Sequence, residues 1–131
     1  MKLIDNPIIR AKFSKMGLLI EPCQAFMEQL AYSLQLAKTT KRDINIGGMT
    51  ALLKVMSTRC LEKVCREAQQ IFGGAGYNKG GRGARVEQIS RDIRVYAVGG
   101  GSEEIMRDLA VRQETKDLEQ LNVAKKDKPK I

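Results

Sequence analysis

The stretch from Glu67 to Arg107 reads EAQQIFGGAGYNKGGRGARVEQISRDIRVYAVGGGSEEIMR, and its glycines divide the chain into helical segments. Six glycines lie between Gly73 and Gly83, and three more occupy positions 99–101. A glycine inside a helix costs roughly 0.5–1 kcal/mol relative to alanine, so dense runs mark places where the backbone turns or approaches another group closely. The pattern therefore predicts one helix before position 73, one between the two runs and one after position 101.

Upstream of this stretch, a long amphipathic helix is predicted to begin at Asn6-Pro7. Asparagine is a favoured N-cap, and proline is a favoured first helical residue. Apolar residues then recur at steps of three or four from Ile9 to Ala37, which is typical of one face of a helix. Pro22 removes an amide donor within this pattern. We expect either a kink near positions 17–22 or two helices that meet there.

Three further helices are predicted after a polar loop at positions 39–48. The second helix has its apolar face between Leu53 and Ile71, and the third extends from Val86 to Tyr96. Ser102 is a favourable N-cap for the fourth helix, because a serine hydroxyl accepts a hydrogen bond from the first free amides. Two glutamates follow it and suit the positive end of the helix dipole.

Four amphipathic segments, with none of period two, predict an all-α fold. We expect an antiparallel, up-down-up-down four-helix bundle over residues 1–122. Residues 123–131 are rich in lysine and contain a proline, so they are predicted to form a basic, disordered tail.

The composition argues against several kinds of site. The 131 residues include no histidine, and the three cysteines have spacings that match no zinc motif, so neither a catalytic triad nor a metal site is expected. The cysteines are expected to be reduced, as in an intracellular protein. The formal charge of +8 is typical either of a solvated basic surface or of a surface for an anionic partner. No apolar run is long enough to span a membrane.

The glycine-rich loop contains two weak nucleotide-related motifs. Gly74-x-Gly76 resembles a dinucleotide-binding turn, but that motif follows a strand, and here a helix precedes it. Positions 79–85 resemble an arginine–glycine RNA-binding tract, but one copy between two helices is more typical of a loop, and no nucleic-acid partner is expected. Exposed amides beside a lysine and two arginines could hold a phosphate, as could the start of the helix after position 101. The alternative for both places is that the glycines only separate helices.

The motifs AQQIFGGAGY and VEQISRDIRVYAVGGGSEEIMRDLAVRQ resemble the C-terminal helical domain of acyl-CoA dehydrogenases. That family shows Q-I-x-G-G-x-G-[YF], then V-E-x-x-x-R-D-x-[RK], then G-[TS]-x-x-I followed by an arginine. The opening segment KLIDNPIIRAKFSKM resembles the family segment that follows its Q-R-x-x-F-G motif, so the resemblance covers about residues 2–115. The matching residues are Gln70, Gly73, Gly74, Gly76, Tyr77, Val86, Glu87, Arg91, Asp92, Arg94, Gly101, Ser102, Ile105 and Arg107.

The resemblance implies a FAD flavoprotein that oxidises an acyl-CoA to the trans-2-enoyl-CoA in fatty acid β-oxidation. In such an enzyme a carboxylate removes the α proton while the flavin accepts hydride from the β carbon. The resemblance also implies self-association as a homodimer or homotetramer, and electron transfer to an electron-transfer flavoprotein or another acceptor. The implied location is intracellular, with mitochondria favoured over the cytoplasm and peroxisomes.

By the same resemblance, five residues are expected to contact FAD: Gln70, Gly73, Gly74, Ser102 and Glu104. Gln70 and Gly74 match positions that touch the FAD of a neighbouring subunit. The position of the catalytic glutamate in many members is Gly100 here, and a glycine cannot accept a proton. Three alternatives follow for the base: it lies outside this chain, Glu103 or Glu104 replaces it, or the chemistry differs.

The resemblance further implies that this chain is only the last domain of a three-domain enzyme, either an expressed fragment or a truncated gene product. Such a domain is expected to be inactive in isolation. Two alternatives without flavin stay open. One is a helical oligomerisation bundle, and the other is a helical module that binds nucleic acid or an acidic partner through its basic surface.

Overall fold

The computed structural model describes residues 2–41 and 44–126, most of which lie in four α-helices. The helices are α1 (Pro7–Thr40), α2 (Gly47–Phe72), α3 (Ala84–Val98) and α4 (Glu103–Lys126). Three short 3-10 helices lie at Leu3–Asp5, Gly73–Tyr77 and Gly81–Gly83. The described residues contain no β-strand, which confirms the all-α prediction. The up-down-up-down order of the helices stays a prediction.

Helix α1 begins where the sequence predicts. The Asn6 side chain accepts a hydrogen bond from the Ile8 N–H at 2.9 Å, and Pro7 occupies the first turn. Pro22 lies inside the helix, which continues on both sides of it, so the alternative of two separate helices is wrong. Met16 and Leu30 are buried on either side of the proline. Burial of both halves of the apolar face offsets the hydrogen bond that the proline removes.

Helix α2 is the centre of the fold, because it packs against α1, α3 and α4. The apolar face predicted between Leu53 and Ile71 is only partly buried. The most buried side chains of α2 belong instead to Ala51, Val55, Thr58 and Cys65. Each of the three neighbouring helices covers a different part of the α2 surface. The most buried residues of α2 therefore differ from those of the single apolar face that the sequence pattern predicts.

Many large apolar side chains stay exposed. Leu18 is 74% exposed, Ile8 66% and Ile105 61%, although all three lie within helices. The buried core is correspondingly small and consists mainly of Ala, Val, Met, Leu and Ile side chains contributed by all four helices. Such uncovered apolar surface is typical of a domain that packs against other protein. No helix among residues 2–41 and 44–126 has both the length and the apolar character to cross a bilayer.

The connection between α1 and α2 is shorter than the predicted loop at 39–48, and positions 42–43 of it lie outside the described residues. Asn45 anchors its end: the side-chain oxygen accepts from the Gly47 N–H at 3.1 Å, and the side-chain nitrogen donates to Asp117 of α4 at 2.9 Å. At the other end of the chain, α4 enters the predicted tail and ends at Lys126. The rest of that tail, residues 127–131, lies outside the described residues.

Candidate functional site

The first glycine bend, residues 73–83, follows α2 directly. Gly73 ends the helix with φ of 57°, a left-handed conformation that glycine adopts without strain. Its N–H donates to the Gln69 carbonyl. The predicted helix end at Gly73 is thereby confirmed, and the bend continues as two short 3-10 turns rather than as irregular coil.

The bend is closed by contacts of main chain with main chain. A Cβ atom added at Gly83 would lie 2.0 Å from the Ala75 carbonyl oxygen, and one added at Gly76 would lie 2.9 Å from the Gln69 carbonyl oxygen. The Gln69 side chain also donates to the Gly76 carbonyl at 3.3 Å. These two glycines are therefore required by the fold itself.

Gly74 differs from them, because an added Cβ would meet no atom within 4 Å and its φ is ordinary. It lines a shallow cavity of about 380 Å³, together with Gln70, Gly73 and Arg66. Three of the five residues predicted to contact FAD thus lie in one place. The cavity presents a side-chain amide, a guanidinium and uncovered main chain, which suits polar or phosphate groups.

A larger cavity of about 860 Å³ adjoins this one and shares Arg66 and Gln70 with it. Lys12 and Lys15 of α1 line it, and both donate to the Glu67 carboxylate, at 2.6 and 2.5 Å. The bonds from Lys12 and Lys15 lower the pKa of Glu67 to about 2. Together with Lys63 and Arg66 these side chains make the cavity basic. This basic cavity was not predictable from the sequence, because no local pattern shows which faces of α1 and α2 meet.

The second glycine bend, residues 99–102, connects α3 to α4. Gly99 donates to the Val95 carbonyl at 2.7 Å, and Gly100 and Gly101 have φ of 71° and 105°. The Ser102 carbonyl accepts from the Met106 N–H at 2.9 Å, which places Ser102 at the N-cap position of α4 as predicted.

The two glutamates after this bend are weak bases. Glu103 accepts from Arg59 at 2.7 Å and from the Thr58 hydroxyl at 3.3 Å, and the Arg59 bond is the main cause that lowers the pKa of Glu103. The Glu104 N–H and then the Ser102 hydroxyl lower the pKa of the exposed Glu104 carboxyl. A carboxylate that is stabilised in its charged form accepts a proton less readily.

The family described as acyl-CoA dehydrogenase, C-terminal domain, matches residues 1–114. This chain belongs to that family. Its Q-x-x-G-G and G-S segments, which form the two bends, lie inside the matched region.

Relatives with curated names agree with this result. An acyl-CoA dehydrogenase of Alternaria alternata is 42% identical over 118 residues, which cover 88% of this chain and 27% of the relative. One of Emericella nidulans is 38% identical over 111 residues, which cover 85% and 25%. A probable acyl-CoA dehydrogenase of Escherichia coli is 31% identical over 112 residues, which cover 86% and 27%. The chain therefore spans about a quarter of the length of these relatives. No solved structure matches it significantly.

Within this acyl-CoA dehydrogenase domain, the predicted FAD contacts fall into two separate groups. The first glycine bend lies at the C-terminal end of α2, whereas the second lies beside Lys54 and Arg59. Arg59 and Gln70 are separated by eleven residues of α2, or about 16 Å along a helix axis. One chain therefore does not bring Ser102 and Glu104 together with Gln70, Gly73 and Gly74.

The residues that secure the second bend were not identified from the sequence of this acyl-CoA dehydrogenase domain. Lys54 donates to the Ala97 and Gly101 carbonyls, and Arg59 and Thr58 bond to Glu103. The one local signal was a lysine between Ala51 and Val55, which are both buried. A charged residue in such a position implies a nearby acceptor but does not identify it.

Proposed function

We propose that this chain is the C-terminal helical part of a FAD-dependent acyl-CoA dehydrogenase that oxidises an acyl-CoA to the trans-2-enoyl-CoA. Membership of the family and the names of the relatives support this proposal. The observation that carries it furthest is the open first bend, where Gly74 and Gln70 face a polar cavity with room for a ligand.

The residues present fit a flavin dinucleotide. The first bend offers the Gln70 amide and the main chain at Gly73 and Gly74 to polar groups. By the family resemblance, Ser102 and Glu104 would supply a second set of contacts. FAD, when bound, supplies the hydride acceptor of the reaction. Because Arg59, which bonds to Glu103, lies about 16 Å from Gln70 along α2, we infer that each chain contributes its two bends to different parts of an assembly.

Self-association as a homodimer or homotetramer is part of the same proposal. The exposed apolar side chains on α1 and α4 support it, since an isolated domain with this much uncovered apolar surface is unusual. An electron-transfer flavoprotein or another acceptor would reoxidise the flavin, and fatty acid β-oxidation in mitochondria is the corresponding setting. Cytoplasmic and peroxisomal settings are compatible with the same chemistry.

We place the catalytic base outside these 131 residues. Gly100 has no side chain, and both Glu103 and Glu104 have carboxyl groups with a lowered pKa. In the full-length gene product, Glu103→Gln is expected to keep most of the acyl-CoA-dependent turnover, measured with an artificial electron acceptor, because the glutamine carbonyl can still accept the bond from Arg59. A loss of several orders of magnitude with flavin retained would instead identify Glu103 as the base.

The proposal as a whole is tested by the flavin content of the full-length gene product. The purified protein is expected to carry FAD, and Gln70→Ala is expected to lower the amount of FAD retained, because the cofactor loses a hydrogen-bond partner. Gln35→Ala, an exposed change on α1 away from both bends, serves as the matched control and is expected to retain FAD fully.

A wild-type protein that assembles but carries no flavin would contradict the proposal and favour an oligomerisation bundle. The basic cavity beside Glu67 gives a specific reason to consider an anionic partner as well. That alternative predicts nucleic-acid or acidic-protein binding that weakens steeply as salt concentration rises, again without flavin.

A further inference from the structure

Lys54 makes an unusual pair of contacts for a lysine. It lies on α2 between the buried residues Ala51 and Val55, and its ammonium group donates to the Ala97 carbonyl at 2.8 Å and to the Gly101 carbonyl at 2.6 Å. Removing an ammonium group from water is costly unless it is well hydrogen-bonded, and charge-assisted bonds to two main-chain oxygens offset that cost. The arrangement joins the end of α3 and the second glycine bend to the central helix.

The contact with Gly101 determines the direction of the next amide. All peptide bonds of the described residues are trans, and in a trans peptide the carbonyl and the following N–H point in opposite directions. With the Gly101 carbonyl directed at the Lys54 ammonium group, the Ser102 N–H points away from that ammonium group. The position of one side chain therefore sets the orientation of the Ser102 main-chain donor.

Without such a contact the bend would have several accessible conformations. Gly100 and Gly101 both have positive φ, and glycine adopts several regions of conformational space at similar energy. Arg59 bonds to the carboxylate of Glu103, the residue that follows Ser102. The segment is therefore secured on both sides of the Ser102 amide. Lys54 secures the glycine that precedes Ser102, and Arg59 secures the first residue of α4, which follows Ser102.

We propose that Lys54 is a positioning residue for the flavin site, which holds the Gly101–Ser102 peptide so that the Ser102 N–H faces an acceptor atom of the cofactor. This inference rests on the proposed flavin-dependent function. It adds a residue that does not itself touch the cofactor, and it assigns the Ser102 main-chain amide, besides the side chain, as a donor to an oxygen or nitrogen of FAD.

The test compares Lys54→Met with Lys116→Met in the full-length gene product. Lys116 lies on α4, is exposed and lines neither of the two cavities beside the first bend, so it is the matched control. Lys54→Met is expected to shift the visible absorption band of the bound flavin and to lower kcat by about 10- to 100-fold, since small misplacements of an active-site group have effects of that size. Lys116→Met is expected to change neither.

Lys54→Arg provides the rescue measurement. A guanidinium can also donate to two carbonyls, so this variant is expected to restore most of the wild-type flavin spectrum and kcat. If Lys54→Met fails to fold, Lys54→Gln replaces it, because the glutamine amide can still donate but is shorter and uncharged, and an intermediate spectral shift is expected.

An unchanged flavin spectrum and an unchanged kcat in the folded Lys54 variant would overturn the inference, as would a drop in thermal stability alone. In that case the proposed function would survive, because wild-type protein and the Lys116 variant would still carry flavin. Absence of flavin from the wild-type protein would overturn both.

Discussion

The two glycine bends of this domain keep their shapes by different means. In the first bend, positions 76 and 83 lie so close to other main-chain atoms that no side chain fits there. In the second bend, glycines with positive φ are held by charged side chains that reach out from α2. The first bend is therefore closed by close main-chain contacts, whereas the second, which also needs glycine at its positions of positive φ, is held in addition by charged side chains. It follows that added volume should disrupt the first, whereas a change of charge should loosen the second.

The largest expected effect comes from Gly83→Ala in the first bend. The added Cβ would lie 2.0 Å from the Ala75 carbonyl oxygen and 2.7 Å from the Gly76 nitrogen, so the main chain has to move. We expect the free energy of unfolding to fall by about 3 kcal/mol, which is typical of severe overpacking. Urea denaturation of the 131-residue chain measures it.

Gly80→Ala is the matched control within the same bend. Its added Cβ would meet no atom within 4 Å, and its φ is −115°. The unfolding free energy of this variant is expected to stay within about 0.5 kcal/mol of wild type. Equal destabilisation by the two substitutions would show that the first bend is not closed by main-chain contact.

A smaller, pH-dependent effect is expected from Glu103→Gln in the second bend. Because Arg59 lowers the pKa of Glu103 below its ordinary value of 4.5, the ion pair stabilises the fold fully above pH 4.5. That stabilisation is lost as the pH falls through the lowered pKa of the folded state. At neutral pH we expect the variant to lose about 0.5 kcal/mol, as is usual for a partly exposed pair.

The corresponding measurement is the difference in Tm between wild type and Glu103→Gln as a function of pH. It should be constant above pH 4.5 and should shrink at lower pH. The Gly83→Ala difference should persist across the same range, because a steric contact has no titrating group. If the difference in Tm between wild type and Glu103→Gln does not depend on pH, the Arg59–Glu103 ion pair does not stabilise the second bend as we propose.

The smallest effect on stability is expected from Gly74→Ala, although it lies in the first bend. An added Cβ there meets nothing within 4 Å, so the unfolding free energy should stay within about 0.5 kcal/mol of wild type. The FAD content of the full-length gene product should nevertheless fall, because the methyl group would stand where the cofactor approaches the main chain. Normal flavin content would show that Gly74 only separates helices.

The positions of the helices were largely predictable from the sequence. Asn6 and Pro7 mark the start of α1, Gly73 marks the end of α2, and the glycines at 99–101 mark the break before α4. These signals are local: a cap, a fixed φ or a freely rotating backbone acts within one turn of its own position. Pro22 shows the limit of such reasoning, because packing on both sides of it keeps α1 continuous.

The candidate site was predictable only in part. The motif resemblance identified Gln70, Gly73 and Gly74, and the structure places all three at one cavity. It also identified Ser102, but no sequence pattern shows that Ser102 lies beside Lys54 and Arg59, far from Gln70 at the C-terminal end of α2. The side chains that secure the second bend could not be predicted for the same reason, because their hydrogen-bond partners lie on other helices.

The amino-acid order alone was sufficient to establish that the chain is helical, where several of its helices begin or end, and which family it resembles. Those properties depend on interactions between residues a few positions apart. The bonds from Lys54 to Ala97, from Arg59 to Glu103 and from Lys12 to Glu67 join residues 43, 44 and 55 positions apart. They exist only once α2 has packed against its three neighbours, because helix packing alone brings such distant side chains and carbonyls within hydrogen-bonding distance.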